Sequence, residues 1–101
     1  MAVLAIFYGD GFTSQMYDTL RAEVGWAITH PEGAMIHVAS FDESGSAHVA
    51  DVWESPEALD AFVQTRLGPT LQKLNFPVPE VKVYLLHNLD VFPIIHEHML
   101  A

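Results

Sequence analysis

The apolar and polar positions of this chain alternate between two rhythms. Ala2 to Tyr8 is continuously apolar and reads as a buried strand. Gly9-Asp10-Gly11 is a turn. From there Phe12, Met16, Leu20 and Val24 recur every four residues, with Tyr17 beside them. Thr13 or Ser14 can cap this amphipathic helix, and Gly25 can stop it. After a His30-Pro31-Glu32-Gly33 loop, residues 34–41 and 47–54 read as two strands of a hairpin. Ser55-Pro56-Glu57 opens a second helix with a cap, a proline in the first turn and an acid. Leu59, Phe62, Val63 and Leu67 form its stripe. Gly68-Pro69 predicts an interruption, with residues 70–74 continuing in a new direction. Val81 to His87 predicts the last strand.

The order is β-α-β-β-α-β, which predicts a ferredoxin-like antiparallel sheet with both helices on one face. Residues 1–101 are expected to form a single domain, with no internal repeat or linker. Its strands carry apolar residues on both faces, as in Ile36 and Val38 against Met35 and Phe41. Residues 88–101 form an apolar tail that includes Leu89, Val91, Phe92, Ile94, Ile95, Met99 and Leu100. Half of the chain is hydrophobic, more than so small a domain can bury alone. A homodimer is therefore expected, with a second sheet and the tail covering the open face.

Charge narrows the partners. Thirteen acids against four bases give a net charge of −9, which repels phosphate backbones and anionic lipid. No nucleic acid and no membrane are expected. The first apolar run is too short to span a bilayer, and no basic residue precedes it, so a cytoplasmic location is expected. Without cysteine there is neither disulfide nor thiolate ligand.

The hairpin carries the sharpest chemical expectation. If Glu43-Ser44-Gly45 is a three-residue loop with Gly45 left-handed, Asp42 pairs with Ser46. His37 then lies opposite Asp51, Met35 lies opposite Trp53, and all four share one face. A carboxylate-oriented imidazole is a general acid–base device; the same pair can also serve as a structural hydrogen bond. Trp26 and Trp53, with Tyr8, Tyr17 and Phe62, suit an aromatic wall for a flat ligand, and equally a plain core. Arg66 could hold an anionic group or pair with a surface acid. His96 and His98 would point the same way in an extended tail, as metal ligands do. No helical His-x-x-x-His pair accompanies them, however, and no metal is expected. Gly9-Asp10-Gly11 is too short for a dinucleotide fingerprint.

Three stretches resemble a known group: His37-x-x-x-Phe41-Asp42, Asp51-Val52-Trp53-Glu54-Ser55, and Phe62-x-x-x-Arg66-Leu67-x-Pro69-x-Leu71. Together with the element order, they make residues 2–88 similar to the dimeric α+β barrel proteins, near the antibiotic-biosynthesis monooxygenase-like group. The resemblance implies the fold and the dimer. It spans cofactor-independent oxygenases, haem-degrading enzymes, isomerases, cyclases and proteins without known activity. The haem-degrading branch places an axial His on a helix, and residues 13–25 and 55–74 contain none. The expectation is a cofactor-independent, monooxygenase- or isomerase-like enzyme for a small aromatic or polyketide-like molecule. In it His37 and Asp51 are catalytic, and Trp53, Tyr8, Tyr17, Phe62 and Arg66 bind substrate. The alternative is a non-catalytic homodimer that binds a small ligand or simply associates.

Overall fold

The computed structural model describes residues 1–99; Leu100 and Ala101, the end of the expected tail, lie outside the described residues. Four antiparallel strands form one sheet: β1 (Val3–Gly9), β2 (Ala34–Phe41), β3 (Ala47–Trp53) and β4 (Glu80–Leu85), in the order β2-β3-β1-β4. Helix α1 (Ser14–Val24) follows β1, and α2 (Pro56–Phe62) follows β3. This is an α+β fold of ferredoxin-like topology. The expected caps are in place: Thr13 Oγ1 accepts from the Met16 N–H, and Ser55 Oγ from the Ala58 N–H.

Strand periodicity places Val3, Ala5 and Phe7 of β1 on one face, opposite Trp53, Asp51 and Val49 of β3. Helix residues Leu20, Val24, Leu59, Phe62 and Leu71 close over them to form the core. Each such aliphatic or aromatic side chain contributes roughly 1.5–3 kcal/mol of burial. The other face carries Ile6, Tyr8, Val38 and Tyr84, all substantially exposed.

The Gly68-Pro69 pair does not interrupt the second helix. The chain passes from α2 through a π-helical turn, Val63–Leu67, directly into α3 (Gly68–Leu74). The Gly68 N–H reaches back five residues to the Val63 carbonyl. A Cβ on Gly68 would stand 2.8 Å from that oxygen, so the wide turn requires glycine there. Pro69 has no N–H to give to the preceding turn, and the Thr70 hydroxyl donates separately to the Arg66 carbonyl at 2.7 Å.

The hairpin follows the expected register for most of its length. Gly45 has φ +84°, its N–H donates to the Asp42 carbonyl, and the Asp42 N–H donates to the Ser46 carbonyl. His37 pairs with Asp51. The register shifts between Ala34 and Ile36, so Ala34, not Met35, stands opposite Trp53. The extra residue of this irregularity takes Met35 off the shared face, where it is half exposed. Strand β4 is displaced from the expected span and stops at Leu85. In the tail, Pro93–His98 is a 3-10 turn, and Val91, Phe92 and Ile94 are exposed on the single chain.

Candidate active site

The hairpin and α1 build one wall of a cavity between sheet and helices. Asp51, on the central strand β3, is 6% exposed. An ionised carboxylate at that depth requires partners, and it has two. His37 Nδ1 lies 2.6 Å from Oδ1, and Trp53 Nε1–H donates to Oδ2 at 3.2 Å. On its other side His37 Nε2 lies 2.7 Å from the Tyr17 hydroxyl. One hydrogen-bonded chain therefore runs Tyr17–His37–Asp51–Trp53, from helix α1 across β2 into β3. No buried side-chain nitrogen or oxygen among the described residues lacks a partner.

Aromatic packing fixes the chain in place. The Trp26 ring centroid lies 4.8 Å from that of His37. Trp53 and Phe62 are 5.2 Å apart. The His37 side chain remains 32% exposed, so the imidazole sits at the boundary between cavity and solvent. The cavity measures about 120 Å³ and is walled mainly by apolar groups, among them Phe7, Phe12, Leu20, Ile36, Trp26 and Leu71. Tyr17, His37, Asp51, Trp53 and Phe62 also line it. Burial pushes the Tyr17 phenol up to about 12. The charges of Asp51 and Asp18 add to the rise, and Arg21 works against it.

Two of the expected binding residues lie elsewhere. Tyr8 faces the opposite side of the sheet, where its ring meets His48 and its hydroxyl donates to Asp10 at 3.4 Å. In β1 it is Val3, Ala5 and Phe7 that face the helices, so Tyr8 points away from the cavity. The Arg66 guanidinium donates to the Val24 carbonyl at 3.0 Å, at the end of α1, with its carbon 5.6 Å from the centre of the Phe62 ring. It completes a helix terminus instead of facing a ligand or a surface acid. The tail histidines lie on the 3-10 turn, where residues two apart do not share a face. Among the described residues no three His, Asp or Glu side chains gather as metal ligands would. What the sequence did not disclose is the Tyr17–His37 bond. Its only sign was the place of Tyr17 next to the apolar stripe of α1.

A second polar cluster sits at the hairpin tip. Asp42 accepts from the Ser44 hydroxyl, from His48 Nε2 and from the Ser46 N–H. These bonds hold its carboxyl well below the usual carboxylate range. It lies at the loop, away from the cavity lining.

A four-stranded antiparallel sheet in the order β2-β3-β1-β4, with helices on one face, gives the chain the ferredoxin-like α+β fold that antibiotic-biosynthesis-monooxygenase-like proteins also have. Among solved structures it is similar to an antibiotic-biosynthesis-monooxygenase-like protein from Chloroflexus aurantiacus, with 16% identity, 90% of this chain and 98% of that one covered, and a TM-score of 0.63. It is likewise similar to SnoaB, a cofactor-independent oxygenase from Streptomyces nogalater, with 14% identity, 91% and 96% covered, and a TM-score of 0.58. A conserved protein from Methanosarcina mazei Go1 matches with 12% identity, 83% and 91% covered, and a TM-score of 0.63. No family model matches the sequence, and no curated protein does. At such identities the likeness is one of fold, and a fold hosts many chemistries. No helix among the described residues is long and apolar enough to cross a membrane.

Proposed function

We propose that this chain is a small cofactor-independent enzyme, monooxygenase- or isomerase-like, acting on an aromatic or polyketide-like molecule in the cavity between sheet and helices. The observation that carries this reading is the hydrogen-bonded chain Tyr17–His37–Asp51–Trp53 set in an apolar, aromatic-walled cavity. An imidazole oriented by a buried carboxylate accepts a proton and stabilises the positive charge that results. Its ligand is left as a carbanion or enolate. Return of the proton to another carbon is isomerisation. In oxygenation the enolate gives an electron to dioxygen, and the radicals combine to a hydroperoxide. Loss of water then converts a CH2 and O2 into a C=O and H2O. The similarity to SnoaB, itself a cofactor-independent oxygenase, supports the second outcome.

A homodimer completes the reading. Ile6, Tyr8, Val38 and Tyr84 are 36–54% exposed on the helix-free face, and a second copy is the occupant that would cover them. A non-catalytic dimer is the competing reading, favoured by the full satisfaction of every buried polar side chain among the described residues. The two part on turnover. Small hydroxylated aromatic ketones, incubated with the protein without added cofactor, should be converted by the native chain under air; conversion that persists under argon marks isomerisation, and conversion lost there marks oxygenation. His37→Ala should convert them at least about 100-fold more slowly while keeping the native circular dichroism. Equal turnover by both proteins would leave the non-catalytic dimer as the better account.

A further inference from the structure

Both ring nitrogens of His37 are engaged before any ligand arrives. Nδ1 lies 2.6 Å from an Asp51 oxygen, and Nε2 lies 2.7 Å from the Tyr17 hydroxyl. Two acceptors do not share so short a contact, so Nδ1 carries its hydrogen toward the carboxylate. Trp53 donates to the other Asp51 oxygen and pins it. The only freedom left in the chain is at Nε2 and the Tyr17 oxygen. When Nε2 is a lone pair, Tyr17 donates to it, and the phenol oxygen has only lone pairs left to offer. When Nε2 bears a proton, Tyr17 accepts it, and the phenol hydrogen is released to turn elsewhere. The hydroxyl therefore switches between base and acid with the state of His37, while Tyr17 itself stays neutral.

We infer that Tyr17 is the residue through which protons pass between a ligand in the cavity and His37, the imidazole acting from behind it. The ligand's C–H bond breaks, and that proton joins the Tyr17 oxygen. The original Tyr17 O–H bond breaks in the same event, and its proton joins Nε2. The electron pair stays on the ligand, the imidazolium stays paired with Asp51, and the phenol is again a phenol. A phenol pushed up to about 12 by burial passes charge on without keeping it. The lining also restricts the ligand. Among the described residues it contains no lysine or arginine, and Arg66 is spent on the Val24 carbonyl. A carboxylate or phosphate would find no counter-charge and would face Asp51. The fitting class is an uncharged aromatic ketone with an acidic C–H beside the carbonyl.

This inference rests on the enzymatic reading, and the test separates the two. The probe is β-tetralone in heavy water, with deuterium entry at its activated carbon followed by NMR. The native protein should accelerate exchange. Tyr17→Phe and His37→Ala should each lower it by about 100-fold or more. Tyr17→Phe should nevertheless retain the downfield Nδ1–H resonance of the His37–Asp51 bond, which shows the imidazole still in place. If Tyr17→Phe exchanges as fast as the native protein while His37→Ala does not, His37 acts directly and the relay is wrong, with the enzymatic reading intact. If the native protein binds β-tetralone, seen as tryptophan quenching, and exchanges nothing, both fall together. One arm needs no ligand: the nitrogen shifts of neutral His37 must show a bare Nε2. A proton there in the neutral ring would overturn the relay on its own.

Discussion

Replacing Asp51 by Asn is nearly isosteric, and its effect can be worked out from three bonds. The carboxylate accepts from His37 and from the Trp53 indole, at a position only 6% exposed. Asn has one oxygen and one NH2. With the NH2 toward Trp53, two donors would meet and the indole N–H would be left unsatisfied. With the oxygen toward Trp53, the NH2 meets His37 Nδ1, which must then accept. The second arrangement wins, and it moves the imidazole proton to Nε2, from which it donates to the Tyr17 oxygen. A charged hydrogen bond worth about 1.5–3 kcal/mol becomes a neutral one worth about 0.5–1.5 kcal/mol. The expected loss is roughly 1–2 kcal/mol in urea denaturation, and Tm falls by roughly 4–8 °C for each kcal/mol. Turnover should fall further than stability accounts for, by about 100- to 10,000-fold, because the imidazole then offers no acceptor at Nε2. Nitrogen NMR shifts of His37 report the tautomer directly. An Asp51→Asn variant that keeps the Nδ1–H tautomer, or loses no stability, would show that the three bonds are not coupled as described.

Tyr17 makes an alkaline signature. Its folded-state value is raised from 10.0 to about 12. The phenol's contribution is thus fully present below pH 10 and is lost as pH climbs toward 12, where the unfolded chain ionises first. Denaturation midpoints of the native protein should decline across that window more steeply than those of Tyr17→Phe; identical slopes would place the phenol in water. Light scattering at micromolar concentration should report about twice the 11.2 kDa chain mass. Val38→Glu on the open face, or deletion of residues 89–101, should shift that value toward the monomer, and a native protein already at the single-chain mass would remove the argument for a partner.

Several of these features were legible before any coordinates, and the reasons differ by residue. Gly45 announced a left-handed loop, and that loop fixed which residues of β2 and β3 face each other. The bulge at Met35 left no such sign, because the glycine beside it, Gly33 at φ +84°, reads equally well as the end of the preceding loop. In β1 the uninterrupted apolar run from Ala2 to Tyr8 concealed its own parity, so Tyr8 was assigned to the wrong face. Arg66 and Tyr17 were both singled out, but the bonds they make were invisible for a shared reason. Their partners, the Val24 carbonyl and His37, are brought to them by the docking of helix on helix and of helix on sheet. Sequence spacing is silent about such contacts. Gly68-Pro69 misled in another way. The residues that usually end a helix here accommodate a wider turn within one.

The Gly45 loop has a consequence for how safely this chain can vary. A Cβ at Gly45 would meet no atom within 4 Å; the residue is demanded by its backbone angle alone. It nonetheless determines an alignment much farther along the ladder. A slip of one position would turn the whole inner surface of β2 outward and be punished as misfolding. A slip of two would keep every apolar side chain on its proper face, yet set Val49 or Trp53 across from His37. Such a descendant could pass every test of foldedness with its imidazole unoriented. The architecture therefore tolerates more sequence drift than the His37–Asp51 pairing does, and lineages with this fold can lose the pair without falling apart.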